Sequence, residues 1–180
     1  MTAKIVYIVK GVTAVRDSYA GLSYEQVVHD YAQTVASACL MRLGSYADAE
    51  DCFQNTFLKL YTSSPSFQNT DHLKAWLLRV AINECRSVLR TRERVIPLDA
   101  ADEVPVFFDE DLERDSFPSL LMQLRPKYRE ALYLYYSEGY TVEETAHILG
   151  KSPNTVKTLL RRGRLKIKEI YGGEYFEEST

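Results

Sequence analysis

Two sets of polar side chains in this sequence are suited to contacts with nucleic acid, and the more regular set lies near the C-terminus. A helix beginning after Ser152 would present a group of amide, hydroxyl and basic residues on its outer side: Asn154, Lys157, Thr158, Arg161 and Arg162. Arginine and lysine pair with guanine edges or phosphates, asparagine reads adenine, and threonine contacts a base edge or a thymine methyl. The alternative is a solvated basic face, so the surrounding elements must decide.

The second set is a polar stripe formed by Arg79, Asn83, Arg86 and Arg90 at i, i+4, i+7 and i+11. Phe67 lies in the preceding loop and Trp76 earlier in the same helix. Cations beside aromatic rings and an amide are suited to single-stranded DNA with an unstacked base. A solvated basic face with a core tryptophan explains the same residues, and chemistry alone leaves both interpretations open.

A third candidate surface lies on a helix that Asp48 is predicted to cap. Its inward stripe consists of Ala49, Cys52, Phe53, Thr56, Phe57 and Leu60. The opposite face carries Asp51, Gln54, Asn55 and Leu58. Leu58 is the apolar member among polar neighbours, which favours a partner surface, although a single exposed leucine is common.

The elements around the C-terminal set indicate a helix-turn-helix. Thr141 and Glu144 form a capping box for the first helix, and Gly150 is placed to end it in a left-handed conformation. Ser152 caps the second helix and Pro153 occupies its first position. Its inward stripe is Val156, Leu160, Gly163 and Ile167. Because cap, turn and basic face agree, the sequence predicts DNA binding here.

Two basic segments of the chain are separated by an acidic one. The segment 141–170 has seven basic and three acidic residues, and the segment 72–94 has six and two. Between them, the segment 99–115 has eight acidic residues and one arginine. Helical periodicity runs over 23–90, with breaks at Gly44-Ser45 and 63–69, and returns over 117–171. We therefore predict an all-α protein of two small helical domains joined by a flexible acidic linker.

Composition excludes several classes. The chain has three cysteines and three histidines without metal-ligand spacing, so no metal, cofactor or disulfide framework is predicted, and the cysteines are expected in cores. No apolar run is long enough to span a membrane, which predicts no direct membrane insertion. The first residues lack a cleavage site typical of signal peptides, so we expect a cytoplasmic protein.

Three segments resemble one family in its own order. DAEDCFQNTFLKLY is similar to the polymerase-clamp-binding region of the ECF (extracytoplasmic-function) sigma factors, and LKAWLLRVAINECRSVLR to their minus-10 region. LMQLRPKYREALYLYYSEGYTVEETAHILGKSPNTVKTLLRRGRLKI resembles their minus-35-reading domain. The resemblance covers roughly 23–171. It implies a non-enzymatic factor that binds core RNA polymerase, directs it to promoters and helps to open the DNA.

The resemblance also implies domain bounds and partners. It divides the chain into an extension of unknown role (1–22), region 2 (23–91), a linker (92–116), region 4 (117–171) and an acidic tail (172–180). The expected partners are the clamp and flap regions of core RNA polymerase and promoter DNA, both double-stranded and melted. An anti-sigma factor is a further partner that the resemblance allows.

The candidate site residues are those that carry over from the family by position, namely Asp51, Gln54, Leu58, Phe67, Asn83, Lys157, Thr158, Arg161 and Arg162, together with neighbours chosen for their chemistry. The residues expected to face the polymerase are Asp51, Gln54, Asn55 and Leu58. The residues expected at the minus-10 element are Phe67, Trp76, Arg79, Asn83, Arg86, Ser87 and Arg90, with Asn83 meeting a flipped base and Phe67 helping to form its pocket. The residues expected at the minus-35 element are Ser152, Asn154, Thr155, Lys157, Thr158, Arg161 and Arg162.

Three positions depart from the family pattern. Asn55 stands where glutamate is usual, Leu159 where a basic residue is common, and Gly163 where alanine is common. We expect Leu159 to remove a phosphate contact. Gly163 is expected to weaken its helix by roughly 0.5–1 kcal/mol relative to alanine.

Two other classes of protein compete with this interpretation. A helix-turn-helix regulator with a helical N-terminal interaction domain would need an upstream sensor or receiver, and residues 23–90 show no alternating strands and helices. A helical adaptor that does not bind DNA, or a helical hydrolase, is the other class. A hydrolase would need a nucleophile–base or metal spacing, which is not apparent.

Overall fold

The computed structural model describes residues 18–63, 65–95 and 117–171. Within these ranges every regular element is helical, which confirms the all-α class. The predicted linker from residue 96 onward, the tail 172–180 and most of the N-terminal extension lie outside the described residues. The chain divides into two compact units, Met1–Glu103 and Val104–Thr180.

In the described residues of the first unit, three long helices pack around one core. They are α1 (Tyr24–Leu43), α2 (Tyr46–Ser63) and α3 (Thr70–Val95). A capping box begins α1, since the Gln26 backbone N–H donates to Ser23 Oγ at 3.2 Å and the Ser23 N–H donates to Gln26 Oε1 at 2.8 Å. The breaks predicted at Gly44-Ser45 and at 63–69 are confirmed by where these helices end and begin.

Two predicted helix bounds in this unit were wrong. The second helix begins at Tyr46, so Asp48 lies inside its first turn and is not its cap. The Ala49 N–H instead donates to the Ser45 carbonyl at 3.0 Å, which starts the helical ladder earlier. The third helix continues to Val95, beyond Arg90, so the first four residues that we assigned to the linker are helical.

The core of the first unit is formed by the inward stripes of all three helices. The stripe predicted for α2 is confirmed, because each of its six members is buried. Cys39, Cys52 and Cys85, one from each helix, are buried free thiols as predicted. Burying large apolar side chains of this kind provides the main driving force for folding the unit.

The core extends further toward the N-terminus than predicted. Tyr19 lies in the segment that we assigned to an extension of unknown role, yet its side chain is only 1% exposed and belongs to the core cluster. The sequence signal for this contact was weak, because a single tyrosine outside a periodic helix carries no pattern.

The part of the second unit that the structure describes forms four α-helices, α4 (Phe117–Met122), α5 (Pro126–Leu132), α6 (Val142–Leu149) and α7 (Pro153–Tyr171). A π-helical turn, Tyr133–Ser137, extends α5 and was not predicted. Arg129 on α5 is buried, and its Nη1 donates to the Met122 carbonyl at the end of α4 at 3.1 Å. This bond satisfies one of the carbonyls that a helix C-terminus leaves without a partner.

Candidate nucleic-acid interface

The helix-turn-helix has the local geometry that the sequence predicts. Thr141 Oγ1 accepts from the Glu144 N–H at 3.2 Å, and the Thr141 N–H donates to the Glu144 carboxylate at 2.9 Å. The Thr141 hydroxyl also donates to the Glu144 carboxylate, at 2.8 Å. The bonds that the Thr141 N–H and then its hydroxyl donate to this carboxylate lower the pKa of Glu144. Gly150 ends α6 with φ 59° and ψ 42°, the left-handed conformation that glycine adopts without strain.

The start of α7 is fixed by Ser152, whose Oγ accepts from the Thr155 N–H at 3.2 Å. The two hydroxyls of Ser152 and Thr155 also lie 2.9 Å apart and are hydrogen-bonded. Both residues are exposed, and Ser152 is the residue that caps the helix.

The outward face of α7 is confirmed as polar and exposed. Each of the five residues predicted to face outward is exposed, whereas the predicted inward stripe is buried. Thr158 Oγ1 donates to the Asn154 carbonyl at 2.9 Å. Within the described parts of the chain, the side chains of Lys157, Arg161 and Arg162 form no hydrogen bond or ion pair, so these cations need no rearrangement to meet an anionic ligand.

Leu159 does not lie on this outward face. It is 8% exposed and packs inward with Val156 and Leu160. The expectation that it removes a phosphate contact was therefore wrong, because a residue at this position points into the domain. Leu159 widens the buried side of α7 and adds apolar area to the packing.

Gly163 is required by a close helix contact. A Cβ placed on Gly163 would lie 2.8 Å from Cδ1 of Leu132 and 3.4 Å from Cβ of Tyr128. The absence of a side chain thus lets α7 approach α5. Nearby, Arg164 Nη1 donates to Tyr136 Oη at 3.4 Å, which connects α7 to the π-helical turn.

The polar stripe on α3 is also largely exposed. Arg79, Asn83 and Arg90 are exposed, and Arg86 is half-buried. Arg86 Nη1 donates to Asn83 Oδ1 at 3.3 Å. This bond orients the amide so that its two N–H groups, the donors, face away from the guanidinium.

Phe67 and Trp76 contact each other beside this stripe. Their ring centroids are 5.6 Å apart with an interplanar angle of 71°, and both rings are half-buried against the core. Phe67 also contacts the His72 ring at 5.5 Å. Trp76 and Asn83 are seven residues apart, hence on one face of α3 about 10 Å apart along its axis. The structure thus places the aromatic pair and the amide on one side without joining them directly.

The surface predicted to face the polymerase lies on α2. Leu58 is 43% exposed, Asp51 and Asn55 are exposed, and Gln54 is half-buried. A cavity of about 330 Å³ lies beside Asp51 and Asn55, between α2 and α3, and the other residues that line it are Cys52, Glu84, Ser87, Val88 and Thr91. Ser87, a predicted minus-10 residue, therefore borders the α2 face, an adjacency that helix periodicity alone does not reveal.

Among the residues that the structure describes, no group of three or more His, Cys, Asp or Glu side chains is arranged to hold a metal ion. No helix in the described ranges is both long and apolar enough to cross a membrane.

Comparisons with known proteins agree with this arrangement. The family model "Sigma-70 region 2" matches residues 27–95, and the model "Sigma-70, region 4" matches residues 114–167. The RNA polymerase sigma factor CarQ of Myxococcus xanthus is 30% identical over 83% of this chain and 90% of its own length. The chain therefore belongs to the bacterial RNA polymerase sigma factors, in their ECF subfamily.

Two further similarities support the subfamily and the fold. The ECF sigma factor SigE of Mycolicibacterium smegmatis is 27% identical over 87% of this chain, which spans only 64% of that relative's length. The sigma factor RpoE of Bartonella quintana, solved in complex with the anti-sigma factor NepR, has a TM-score of 0.67 and 26% identity. That match covers 82% of this chain and 95% of the solved chain.

Proposed function

We propose that this protein binds core RNA polymerase, directs it to promoters with specific minus-35 and minus-10 elements, and promotes DNA melting. The observation that carries this proposal is that the two units match sigma regions 2 and 4 in order, and that each presents an exposed cationic helix face. A regulator with one helix-turn-helix would not need the second face on α3.

In this proposal the minus-35 element is read by α7. The three cations without partners among the described residues, Lys157, Arg161 and Arg162, make the main contacts with base edges and phosphates, since bidentate arginine–guanine pairs are the commonest specific contact. Asn154 and Thr158 add contacts to adenine or thymine, and Ser152 and Thr155 approach the backbone at the helix N-terminus. The positive end of the helix dipole favours a phosphate there.

The minus-10 element meets α3. Asn83 donates through its oriented amide to an unpaired base, while Phe67 and Trp76 border the space that the base enters. Arg79, Arg86, Ser87 and Arg90 hold the backbone of the unpaired strand. Because a single strand is bound by stacking and by charge together, both groups are needed on the same side of the helix.

The α2 surface of Asp51, Gln54, Asn55 and Leu58 binds the polymerase clamp, and the second unit binds the flap region. The chain itself catalyses no reaction, because the polymerase performs the RNA synthesis. The chain acts in the cytoplasm. By analogy with the Bartonella relative, an anti-sigma factor is a further candidate partner.

Run-off transcription with purified core polymerase tests this function. We expect a discrete transcript from a promoter of this factor only when the chain is added. A regulator, an adaptor or a hydrolase would give no transcript with core polymerase alone. The variant Leu58→Glu should lose the transcript together with core binding, whereas Arg161→Ala should lose the transcript and keep core binding.

A further inference from the structure

The ring of Tyr19 contacts Phe67, one of the two aromatic side chains that the proposed function places beside the minus-10 base. Its ring centroid is 6.5 Å from that of Phe67 and 6.4 Å from that of Tyr24, and its side chain is 1% exposed. The contact with Phe67 joins residues that are far apart in sequence. The Phe67 ring thus contacts both Tyr19 and Trp76.

The segment around Tyr19 is held by backbone bonds. The Tyr19 N–H donates to the Leu22 carbonyl at 2.8 Å, and the Leu22 N–H donates to the Tyr19 carbonyl at 3.0 Å. The two residues between them have positive φ, 52° at Ala20 and 86° at Gly21, as in a tight turn with two left-handed residues. A positive φ at alanine is strained and persists only where surrounding contacts hold it, which indicates that the position of Tyr19 is enforced.

The Tyr19 hydroxyl also contacts the end of α2. It donates to the Leu60 carbonyl at 3.4 Å, one of the last four carbonyls of that helix, which have no partner within the helix. The Phe67 loop follows this helix end within a few residues. Tyr19 therefore contacts both the last turn of α2, through its hydroxyl, and the Phe67 ring in the loop that follows this helix.

We propose that Tyr19 is a positioning residue for the minus-10 pocket, and that it holds the Phe67 ring against Trp76 in the place that an unpaired base requires. This inference rests on the proposed role of Phe67 in the pocket. It assigns a function to the last part of the predicted N-terminal extension. The ring of Tyr19 carries most of the effect, because the ring makes the contact with Phe67.

The test compares Tyr19→Ala with Tyr19→Phe in reconstituted holoenzyme. The measured quantity is affinity for a promoter template whose minus-10 region is already unpaired. We expect Tyr19→Ala to weaken binding at least about fivefold, the lower end of what the loss of one base–aromatic stack produces. Tyr19→Phe should remain within about twofold of the parent, and both should bind core polymerase normally.

A matched core variant separates positioning from general stability. Val35 on α1 is fully buried in the same core. Val35→Ala should lower the unfolding temperature but not the affinity for the unpaired template at a temperature where the chain is folded. An equal loss of affinity with Val35→Ala would overturn the inference. If Tyr19→Ala does not fold, Tyr19→Leu, which fills much of the volume without a ring, replaces it with the same expectation.

Trp76 provides a second readout, since it is the only tryptophan in the chain. In the free 180-residue chain, Tyr19→Ala should increase the quenching of Trp76 emission by acrylamide, because Phe67 no longer covers the indole. Val35→Ala should leave the quenching unchanged, and unchanged quenching in Tyr19→Ala would contradict the inference.

Failure of the inference differs from failure of the proposed function. If Phe67→Ala and Asn83→Ala weaken binding to the unpaired template but Tyr19→Ala does not, Tyr19 has no positioning role and the pocket stands. If all three variants bind the unpaired template as the parent does, the proposed minus-10 pocket is wrong, and so is the positioning role of Tyr19.

Discussion

Replacing Gly163 with alanine measures how closely α7 packs on α5. From sequence alone the change should stabilise α7 by roughly 0.5–1 kcal/mol, because alanine restricts the unfolded chain and favours helix. The structure predicts the opposite sign. The new Cβ would lie 2.8 Å from Cδ1 and 3.3 Å from Cγ of Leu132, whereas carbon atoms in contact are normally about 3.5–4.0 Å apart.

Leu132 cannot move aside freely, since it is fully buried. Forcing an extra methyl group into a packed core costs about 1–3 kcal/mol. Subtracting the helix gain leaves a net destabilisation of the second unit of about 1 kcal/mol. The Tyr128 Cβ, 3.4 Å from the added atom, would be in ordinary van der Waals contact with it, so the clash is with Leu132.

Amide hydrogen exchange of the α6 and α7 segments measures this change, with Trp76 emission as a control on the first unit. Exchange should accelerate about fivefold in Gly163→Ala, and the denaturation midpoint reported by Trp76 should not move. In the Leu132→Ala background, which leaves a cavity beside residue 163, the substitution should be neutral or stabilising, a coupling of about 1 kcal/mol or more. Slower exchange in the single variant, or additive effects in the double variant, would refute this packing argument.

Three further predictions concern the polymerase surface, the recognition helix and the buried thiols. Leu58→Glu should weaken core-polymerase binding by more than about 1 kcal/mol, measured by co-purification, while Gln33→Glu at an exposed position on α1 should not; equal recovery of both would contradict the surface assignment. Arg161→Ala should cost roughly 1–3 kcal/mol on its promoter if it reads a base, or lower the salt slope by about one on all DNA if it binds phosphate; unchanged binding under both tests would exclude either role. The Cys85 thiol and burial raise the pKa of Cys52, while the Cys39 thiol and burial raise the pKa of Cys85 against a lowering by Cys52. The unfolded state therefore loses these protons first, and stability should fall above about pH 8.5 by up to roughly 1.4 kcal/mol per pH unit for each thiol. Urea unfolding between pH 7 and pH 10 measures this fall of the free energy of unfolding with pH, and Cys52→Ala should make the fall less steep. An equally steep fall in the variant would show that the thiols do not cause it.

The features that the sequence predicted correctly are those whose signals are local. The Thr141–Glu144 capping box, the left-handed Gly150 and the Ser152 cap each depend on residues within three positions of one another, so residue types determine their geometry. The inward stripe of α2 likewise follows from helical periodicity.

The features that the sequence did not predict depend on contacts between distant segments. Tyr19 bonds to a carbonyl 41 residues away, and Leu159 is buried because α7 packs with a wider apolar side than its periodicity suggested. The three thiols, far apart in sequence, are brought together by the packing of α1, α2 and α3. The π-helical turn at Tyr133–Ser137 has no local sequence signature in this chain that distinguishes it from an α-helix.

The role of Asn83 in promoter melting is tested most directly by the permanganate reactivity of unpaired thymines at a duplex promoter bound by Asn83→Ala holoenzyme. Extruding a base costs a few kcal/mol, which contacts to the captured base must offset. We expect the variant to bind core polymerase and form the closed complex normally but to melt the promoter more slowly, and a template already mismatched at minus-10 should partly rescue it. Gln33→Ala, an exposed amide on α1, should melt the promoter as the parent does. If Asn83→Ala holoenzyme melts the promoter at the parental rate, the proposed role of α3 in melting is contradicted. The α3 stripe would then be a solvated surface.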